Sequence, residues 1–204
     1  MLHNNLIYKK VKKKYLSFVK SQEVLSEPFR DKIGQLKKYY IPLSEEIFKK
    51  YSEDFKKKII GLSGGQGSGK STISNILKIV LKEGYQLKTV VFSIDDFYKT
   101  YKDRKKMSIK VSPLFLTRGV PGTHESKLLL KCIKKLKSKN FKKALIPKFD
   151  KSIDDRLSKK RWQKIKTQPN IVIFEGWCVG IRPQKNKDLI NPVNKLEKKK
   201  DKKR

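Results

Sequence analysis

The fold of this 204-residue chain is decided by the stretch Gly64-Gly65-Gln66-Gly67-Ser68-Gly69-Lys70-Ser71. Its spacing, G-x-x-x-x-G-K-S, lets the backbone curl so that successive N–H groups point inward at phosphate oxygens. Lys70 would reach the β- and γ-phosphates, and the Ser71 hydroxyl would complete a Mg²⁺ shell. We therefore predict that a nucleoside triphosphate is bound by Gly64, Gly65, Gln66, Gly67, Ser68, Gly69, Lys70, Ser71 and Thr72.

The sequence on either side of this phosphate loop (residues 64–71) supplies the context that a chance glycine-rich turn would lack. Before it, Ile59–Ser63 is a short apolar run typical of a buried parallel strand. After it, apolar residues recur at helical spacing and Gly84 indicates the end of the helix. These apolar residues are Ile73, Ile76, Leu77, Val80 and Leu81.

Two further apolar runs predict the rest of a parallel sheet. Residues 89–94 form a β-branched run that closes a βαβ unit, and residues 171–174 form a third buried strand. Between them, Thr123 is expected to cap a helix with an apolar face from Leu128 to Leu136, and residues 148–168 are expected to be loop plus one short helix. The prediction is an α/β fold, a P-loop three-layer sandwich with a parallel sheet.

The first 57 residues are Lys-rich and helical in pattern, which predicts an N-terminal helical addition. Within it, Ser44 is expected to cap a helix that runs to about Phe55, with Leu43 packed on Phe48. The Lys-dominated segment 198–204 is expected to be unstructured. The predicted organisation is a helical extension at 1–57, a domain that carries the phosphate loop at 58–190 and a Lys-rich tail at 191–204.

The formal net charge of +33 permits nucleic acid, acidic membranes or small anions as partners. Only seven of the 52 basic residues are arginine, the residue that groove readers favour, and the lysines are scattered along the chain. We therefore expect a lysine-biased surface, no specific nucleic acid and no membrane partner.

Cys132 and Cys178 have neither disulfide-framework nor zinc-site spacing. A reducing compartment, the cytoplasm, is expected, with a plastid or other organelle as the alternative. We identify no targeting signal and no apolar run long enough to cross a bilayer.

Acidic residues follow two of the predicted strands directly. Asp95 and Asp96 follow one, and Glu175 follows another. Because the carboxyl ends of parallel strands face the same crevice as the phosphate loop, these acids should lie near the triphosphate. Glu175 suits a metal or water ligand, and Asp95 or Asp96 could accept a proton from a substrate hydroxyl. The alternative for each is a turn or capping acid.

Four segments, in their order and spacing, resemble the D-glycerate 3-kinase family of plants, fungi and bacteria. The similarity runs from about residue 36 to about residue 197. That family is a branch of the P-loop kinases that includes uridine kinase and phosphoribulokinase, and it transfers the ATP γ-phosphate to the 3-hydroxyl of glycerate. The four segments are Ser93–Tyr98, Arg118–Glu125, Pro147–Ser152 and Phe174–Trp177.

The resemblance implies roles for individual residues. Asp95 would be the catalytic base beside Lys70, and Glu175 would be the acid on the metal side, where it joins Ser71 in holding Mg²⁺. The acceptor, a small anionic hydroxy acid such as glycerate, would be contacted by Asp96, Tyr98, Arg118, His124, Asp150 and Lys151. For His124 the alternative is a role in the first turn of a helix.

The resemblance also implies the strand order 2-3-1-4-5, with residues 59–63 as strand 1. Family members form strands 4 and 5 and a lid from a part that follows the region of similarity. Without those strands, strand 1 would lie at an edge of the sheet. We expect an incomplete sheet, weak or absent turnover, and possible self-association through the exposed edge. The alternatives are a non-catalytic ATP-binding remnant or partner-binding fragment, a uridine or pantothenate kinase-like enzyme, and a nucleic-acid-binding protein on the same scaffold.

Overall fold

The computed structural model describes residues 2–24, 28–192 and 194–200. Short 3-10 turns lie at Ile94–Phe97, Pro113–Leu116, Lys159–Arg161 and Asn186–Leu189. The helices are α1 (Leu2–Gln22), α2 (Lys32–Gln35), α3 (Ile41–Ser52), α4 (Lys70–Tyr85), α5 (Tyr101–Lys110), α6 (Ser126–Lys137) and α7 (Lys195–Lys200). The strands are β1 (Lys58–Ser63), β2 (Thr89–Ser93), β3 (Ala144–Ile146), β4 (Phe149–Asp150), β5 (Asp155–Arg156), β6 (Gln163–Ile165) and β7 (Ile171–Gly176).

The main sheet is parallel and has the strand order β1-β7-β2. The third predicted strand therefore lies between the first two, as expected. Gly61 of β1 is opposite Phe174 of β7, and Phe92 of β2 is opposite the same residue. In the described part of the chain, β1 has a strand neighbour on one side only, so it lies at the predicted edge.

Side chains of β7 alternate between two apolar cores, which confirms the layered α/β fold. Ile171 and Ile173 pack with α1, α3 and α4, whereas Val172 packs with β2 and α6 on the opposite face. Helices therefore cover both faces of the sheet. The helices of the first 57 residues share a core with α4, and the domain boundaries given above stay predictions.

The helix predicted to start at Ser44 starts earlier, so the capping prediction is wrong. Ser44 lies buried inside α3, and Leu36–Tyr40 form a π-helical turn that joins α2 to α3. Pro42 has no N–H and cannot continue a regular helix without a clash, which accounts for the wider turn just before it. Leu43 is exposed and Phe48 stacks on Tyr85, at 4.7 Å between ring centroids.

The predicted end of α4 at Gly84 is also wrong. The helix continues to Tyr85 and ends through Gln86, whose φ of 57° lies in the left-handed region. A Cβ on Gly84 would lie 2.9 Å from Cγ2 of Ile7 in α1. The glycine therefore permits the close approach of two helices.

Thr123 does not cap α6. Its side chain is buried and its hydroxyl donates to the Val120 carbonyl, while Glu125 occupies the capping position. The predicted apolar face of the helix is confirmed, since Cys132 and Leu136 are buried in the second core.

The segment 148–168, predicted as loop plus one short helix, also contains three short strands, which form antiparallel pairs with one another or with β3 just before the segment. The pairs are β3 with β6 and β4 with β5, beside the 3-10 turn at Lys159–Arg161. Strands of two or three residues among charged neighbours carry no period that sequence analysis can detect.

The prediction that residues 198–204 are unstructured is wrong for residues 198–200, which belong to α7. Residues 201–204 lie outside the described residues. None of the helices in the described ranges is long and apolar enough to span a membrane.

Candidate active site

The phosphate loop joins β1 to α4 and has the backbone that its glycines permit. Gly67 and Gly69 have φ values of 77° and 76°, in the left-handed region that a side chain disfavours. Helix α4 begins directly afterwards at Lys70, whose Nζ donates to the Gly65 carbonyl over 2.6 Å. The loop therefore has the curl, the helix start and the cation that a triphosphate requires.

A cavity of about 850 Å³ opens beside this loop and brings together most of the predicted site. Its walls come from the loop, from the carboxyl ends of β2 and β7, and from two later segments of the chain. The residues that contribute side chains include Lys70, Ser71, Thr72, Asp95, Tyr98, Arg118, Lys151, Glu175 and Trp177. We call Tyr98, Arg118 and Lys151 the acceptor side of the cavity.

The predicted metal side is formed by Ser71 and Glu175. The Ser71 hydroxyl donates to Oε1 of Glu175 over 2.9 Å, and Glu175 is only 5% exposed. In the described ranges, His, Cys, Asp and Glu side chains form no group of three or more that could hold a metal. A hydroxyl and one carboxylate nevertheless fit Mg²⁺, which usually takes its remaining ligands from water and substrate phosphates.

Asp95 lines the cavity together with the phosphate loop and contacts the acceptor side. Its Oδ2 forms an ion pair with Lys151 Nζ over 2.8 Å, and Lys151 is 61% exposed. Burial raises the pKa of the neighbouring Tyr98 to about 12, and the Asp95 carboxylate adds to the shift. Tyr98 is therefore a neutral hydroxyl at the cavity wall at physiological pH.

Asp96 points to a different set of partners. It accepts hydrogen bonds from the Ser93 backbone N–H and, over 2.9 Å, from Lys148 Nζ, and the Phe149 N–H lies 3.5 Å away. Together with Lys148 it lines a smaller cavity of about 380 Å³. These contacts join the end of β2 to β4, and acceptor binding by Asp96 stays a prediction.

His124 and Asp150 are not among the residues that line the larger cavity, but each is next to one that does, Tyr98 and Lys151 respectively. The His124 ring stacks on Tyr98 at 4.2 Å, and burial lowers its pKa below the ordinary 6.5. Asp150 accepts hydrogen bonds from both the hydroxyl and the N–H of Ser152, which lower its pKa. His124 therefore packs against Tyr98, and Asp150 stabilises the turn that contains Ser152. Direct contact of either residue with an acceptor stays a prediction.

Sequence analysis missed Arg104 and Asp154, which help to hold the acceptor side in place. Asp154 pairs with both Arg104 and Arg118, and the Arg156 guanidinium donates to the Tyr98 carbonyl. These residues follow no regular spacing. The one feature of the sequence that could have indicated them is the scarcity of arginine in a lysine-rich chain, since an arginine is then an unusual choice of cation.

Comparison with known proteins identifies the family. The family model described as Phosphoribulokinase / Uridine kinase family matches residues 59–190. An uncharacterized kinase of Schizosaccharomyces pombe is 36% identical over 132 residues, covering 61% of this chain and 47% of its own. The chloroplastic D-glycerate 3-kinase of Arabidopsis thaliana is 29% identical over 167 residues, covering 74% of this chain and 36% of its own.

Among solved structures, D-glycerate 3-kinase from Cryptococcus neoformans is similar to this chain with a TM-score of 0.62 and 29% identity. The match covers 73% of this chain and 54% of that one. The chain thus spans about half the length, or less, of the relatives it matches. Because the family model covers more than half of its residues, the chain belongs to the phosphoribulokinase/uridine kinase family.

Proposed function

We propose that this chain binds ATP and Mg²⁺ and transfers the γ-phosphate to a hydroxyl of a small anionic acceptor, with D-glycerate as the leading candidate. One observation carries the proposal: the phosphate loop, Asp95 and the cations Arg118 and Lys151 line the same cavity. A base that shares a cavity with a phosphate site and two cations suits phosphoryl transfer to a hydroxy acid.

On the nucleotide side, backbone N–H groups of the phosphate loop and the start of α4 would hold the phosphates. Lys70 would leave the Gly65 carbonyl and bind the β- and γ-phosphates. Ser71 and Glu175, already 2.9 Å apart, would hold Mg²⁺, which supplies charge neutralisation between the phosphates.

On the acceptor side, Asp95 would take the hydroxyl proton as the hydroxyl oxygen bonds to the γ-phosphorus and the bond to ADP breaks. In the structure without an acceptor, Oδ2 of Asp95 forms an ion pair with Lys151, so this oxygen is already engaged. An acceptor carboxylate would draw the Lys151 ammonium away and free the Asp95 oxygen. A neutral acceptor such as a nucleoside has no group to do so.

Two cations of different kinds favour an acceptor carboxylate. The Arg118 guanidinium can donate two parallel hydrogen bonds to a carboxylate, and the exposed Lys151 can add a point charge. D-glycerate combines a carboxylate with the required hydroxyl. Relatives named as D-glycerate 3-kinases support the choice at the 29% identity given above.

A second candidate is a protein that binds ATP with weak or absent turnover. Residues 65–68 of the phosphate loop are exposed, and water around the phosphates weakens the electrostatic stabilisation of a transition state. The edge position of β1 would also permit pairing with another strand, including one from a second copy.

The test is a coupled assay of ADP release with MgATP and D-glycerate. We expect acceptor-dependent turnover that falls to background in Lys70→Ala, with Lys82→Ala as the matched control because Lys82 is an exposed lysine on the same helix. Uridine and pantothenate are assayed in parallel. ADP release with uridine or pantothenate but not with D-glycerate would refute D-glycerate as the acceptor. Folded protein that binds ATP and releases no ADP with any of the three would refute the kinase proposal and favour the second candidate.

A further inference from the structure

Arginine is rare in this chain, and the structure gathers it around the acceptor side. Three of the seven arginines, Arg104, Arg118 and Arg156, bond to the segments that surround the cavity. A lysine ammonium is the chain's usual cation, but it cannot donate in a fixed plane to several acceptors. The arginines therefore mark a place where the direction of the hydrogen bonds matters.

Arg104 of α5 is fully buried. Its guanidinium donates to the backbone carbonyls of Lys99, Leu116 and Asp154, and it forms an ion pair with Oδ2 of Asp154 over 2.9 Å. A buried guanidinium is tolerated only when its donors are satisfied in this way. It thereby joins α5, the turn before Arg118 and the segment after β4 into one unit.

Asp154 lies in the turn of the hairpin, which we define as residues 149–156. Its φ of 51° places a non-glycine residue in the left-handed region, where Asp is tolerated but not favoured. The two carboxylate oxygens are divided, since Oδ2 pairs with Arg104 and Oδ1 pairs with Arg118. The backbone is therefore held in a disfavoured conformation by a carboxylate that bridges two guanidinium groups.

We propose that Asp154 is a positioning residue that holds the Arg118 guanidinium at the acceptor side of the cavity, an inference that rests on the proposed function. Arg104 is the buried anchor, Asp154 is the bridge, and Arg118 is the group presented to the acceptor. Arg118 also donates toward the Lys151 carbonyl at 3.5 Å, so the same bridge sets the place of the hairpin that carries Lys151.

The charge balance of the bridge leaves the site able to attract an anion. Two guanidinium charges against one carboxylate leave a net charge of +1, while Lys151 is offset by Asp95. Phe149 lies below both guanidinium groups, with its ring centroid 5.8 Å from the central carbon of each. The aromatic ring attracts both guanidinium groups without neutralising their charge.

The bridge is expected to persist at neutral pH. Burial works against the charged form of Asp154, but hydrogen bonds from Arg104 and Arg118 lower the pKa of its carboxyl group overall. Protonation would release Arg118 only in acid.

The test compares Asp154→Asn, Arg118→Met and the double variant in steady-state kinetics, with the exposed Glu53→Gln as a matched carboxylate-to-amide control. We expect Asp154→Asn to raise the acceptor KM about tenfold with little change in the KM for ATP, the loss expected for one charge-assisted contact. The double variant should be no worse than Arg118→Met alone, because both changes remove the same interaction. Effects that multiply would overturn the proposal.

A second readout does not depend on turnover. The rate at which phenylglyoxal modifies Arg118 is followed by peptide mass spectrometry, with the exposed Arg30 as internal reference. Asp154→Asn should speed modification of Arg118 several-fold and leave Arg30 unchanged, and thermal unfolding reports whether the variant folds. If the folded Asp154→Asn variant shows an unchanged rate of Arg118 modification, the proposal is overturned. Absence of kinase activity in the wild-type protein refutes the proposed function, and the modification rate then decides the role of Asp154 separately.

Discussion

The two sides of the cavity are built in different ways. The phosphate loop is one continuous stretch of eight residues, shaped by glycine φ values and by the start of α4. The acceptor side is assembled from three separate segments that contribute Tyr98, Arg118 and Lys151, and it is held by the Arg104–Asp154 bridge. The local backbone conformation of one segment is thus enough to form the nucleotide side, whereas the acceptor side depends on tertiary contacts between charged groups.

The largest expected effect comes from Asp95, the proposed catalytic base. Asp95→Asn keeps the shape of the side chain and removes the proton acceptor, so we expect turnover to fall by about 10²- to 10⁴-fold while ATP affinity stays close to that of the wild type. Steady-state kinetics and nucleotide titration measure the two quantities. Asp188→Asn, at an exposed position, is the matched control. Equal losses of ATP affinity and turnover would show that Asp95 belongs to the phosphate side instead.

A smaller effect is expected from Lys151, which forms an ion pair with Asp95. Lys151→Met removes one cation from the acceptor side, so the acceptor KM should rise about tenfold while the KM for ATP changes little. Lys160→Met, a neighbouring exposed lysine, should change neither. If Lys151→Met instead weakened ATP binding as strongly as acceptor binding, the division of the cavity into two sides would be wrong.

The smallest effect concerns His124, behind Tyr98. Burial lowers its pKa below 6.5, so the folded protein holds it neutral while the unfolded chain takes up a proton as pH falls through that value. Its contribution to stability is therefore present above about pH 6.5 and lost below it, with a slope no steeper than about 1.4 kcal/mol per pH unit. Urea unfolding at several pH values measures this slope.

His124→Phe keeps an aromatic ring against Tyr98 and removes the titration. We expect the variant to lose part of the stability decrease between neutral pH and pH 5.5. A pH dependence identical to that of the wild type would mean that His124 is not buried neutral behind the acceptor side.

The same contrast explains what the sequence could predict. The phosphate loop and the three main strands depend on contiguous motifs, so sequence analysis placed them correctly. Ser71 and Glu175, predicted together as metal ligands, form a hydrogen bond, and metal binding by them stays a prediction. Gly84 was misinterpreted because its role depends on Ile7, which lies 77 residues earlier in the chain. Ser44 was misinterpreted because the π turn before Pro42 extended the helix past the expected cap.

Asp154 could not be found in this way, since nothing in its neighbourhood indicates that two arginines, 50 and 36 positions away, converge on it. The acceptor residues were predicted by resemblance alone. Arg118, Lys151 and Tyr98 line the cavity with Asp95, while His124 and Asp150 support it from behind and from the hairpin turn.

The central claim is that one cavity joins ATP to an anionic hydroxy acid. Its most direct test is to incubate the protein with MgATP labelled in the γ-phosphate and D-glycerate, and to identify the labelled product by mass spectrometry. The account predicts labelled 3-phosphoglycerate from the wild type and at most traces from Asp95→Asn. Label found only in inorganic phosphate, or retained in ATP by folded protein, would contradict it.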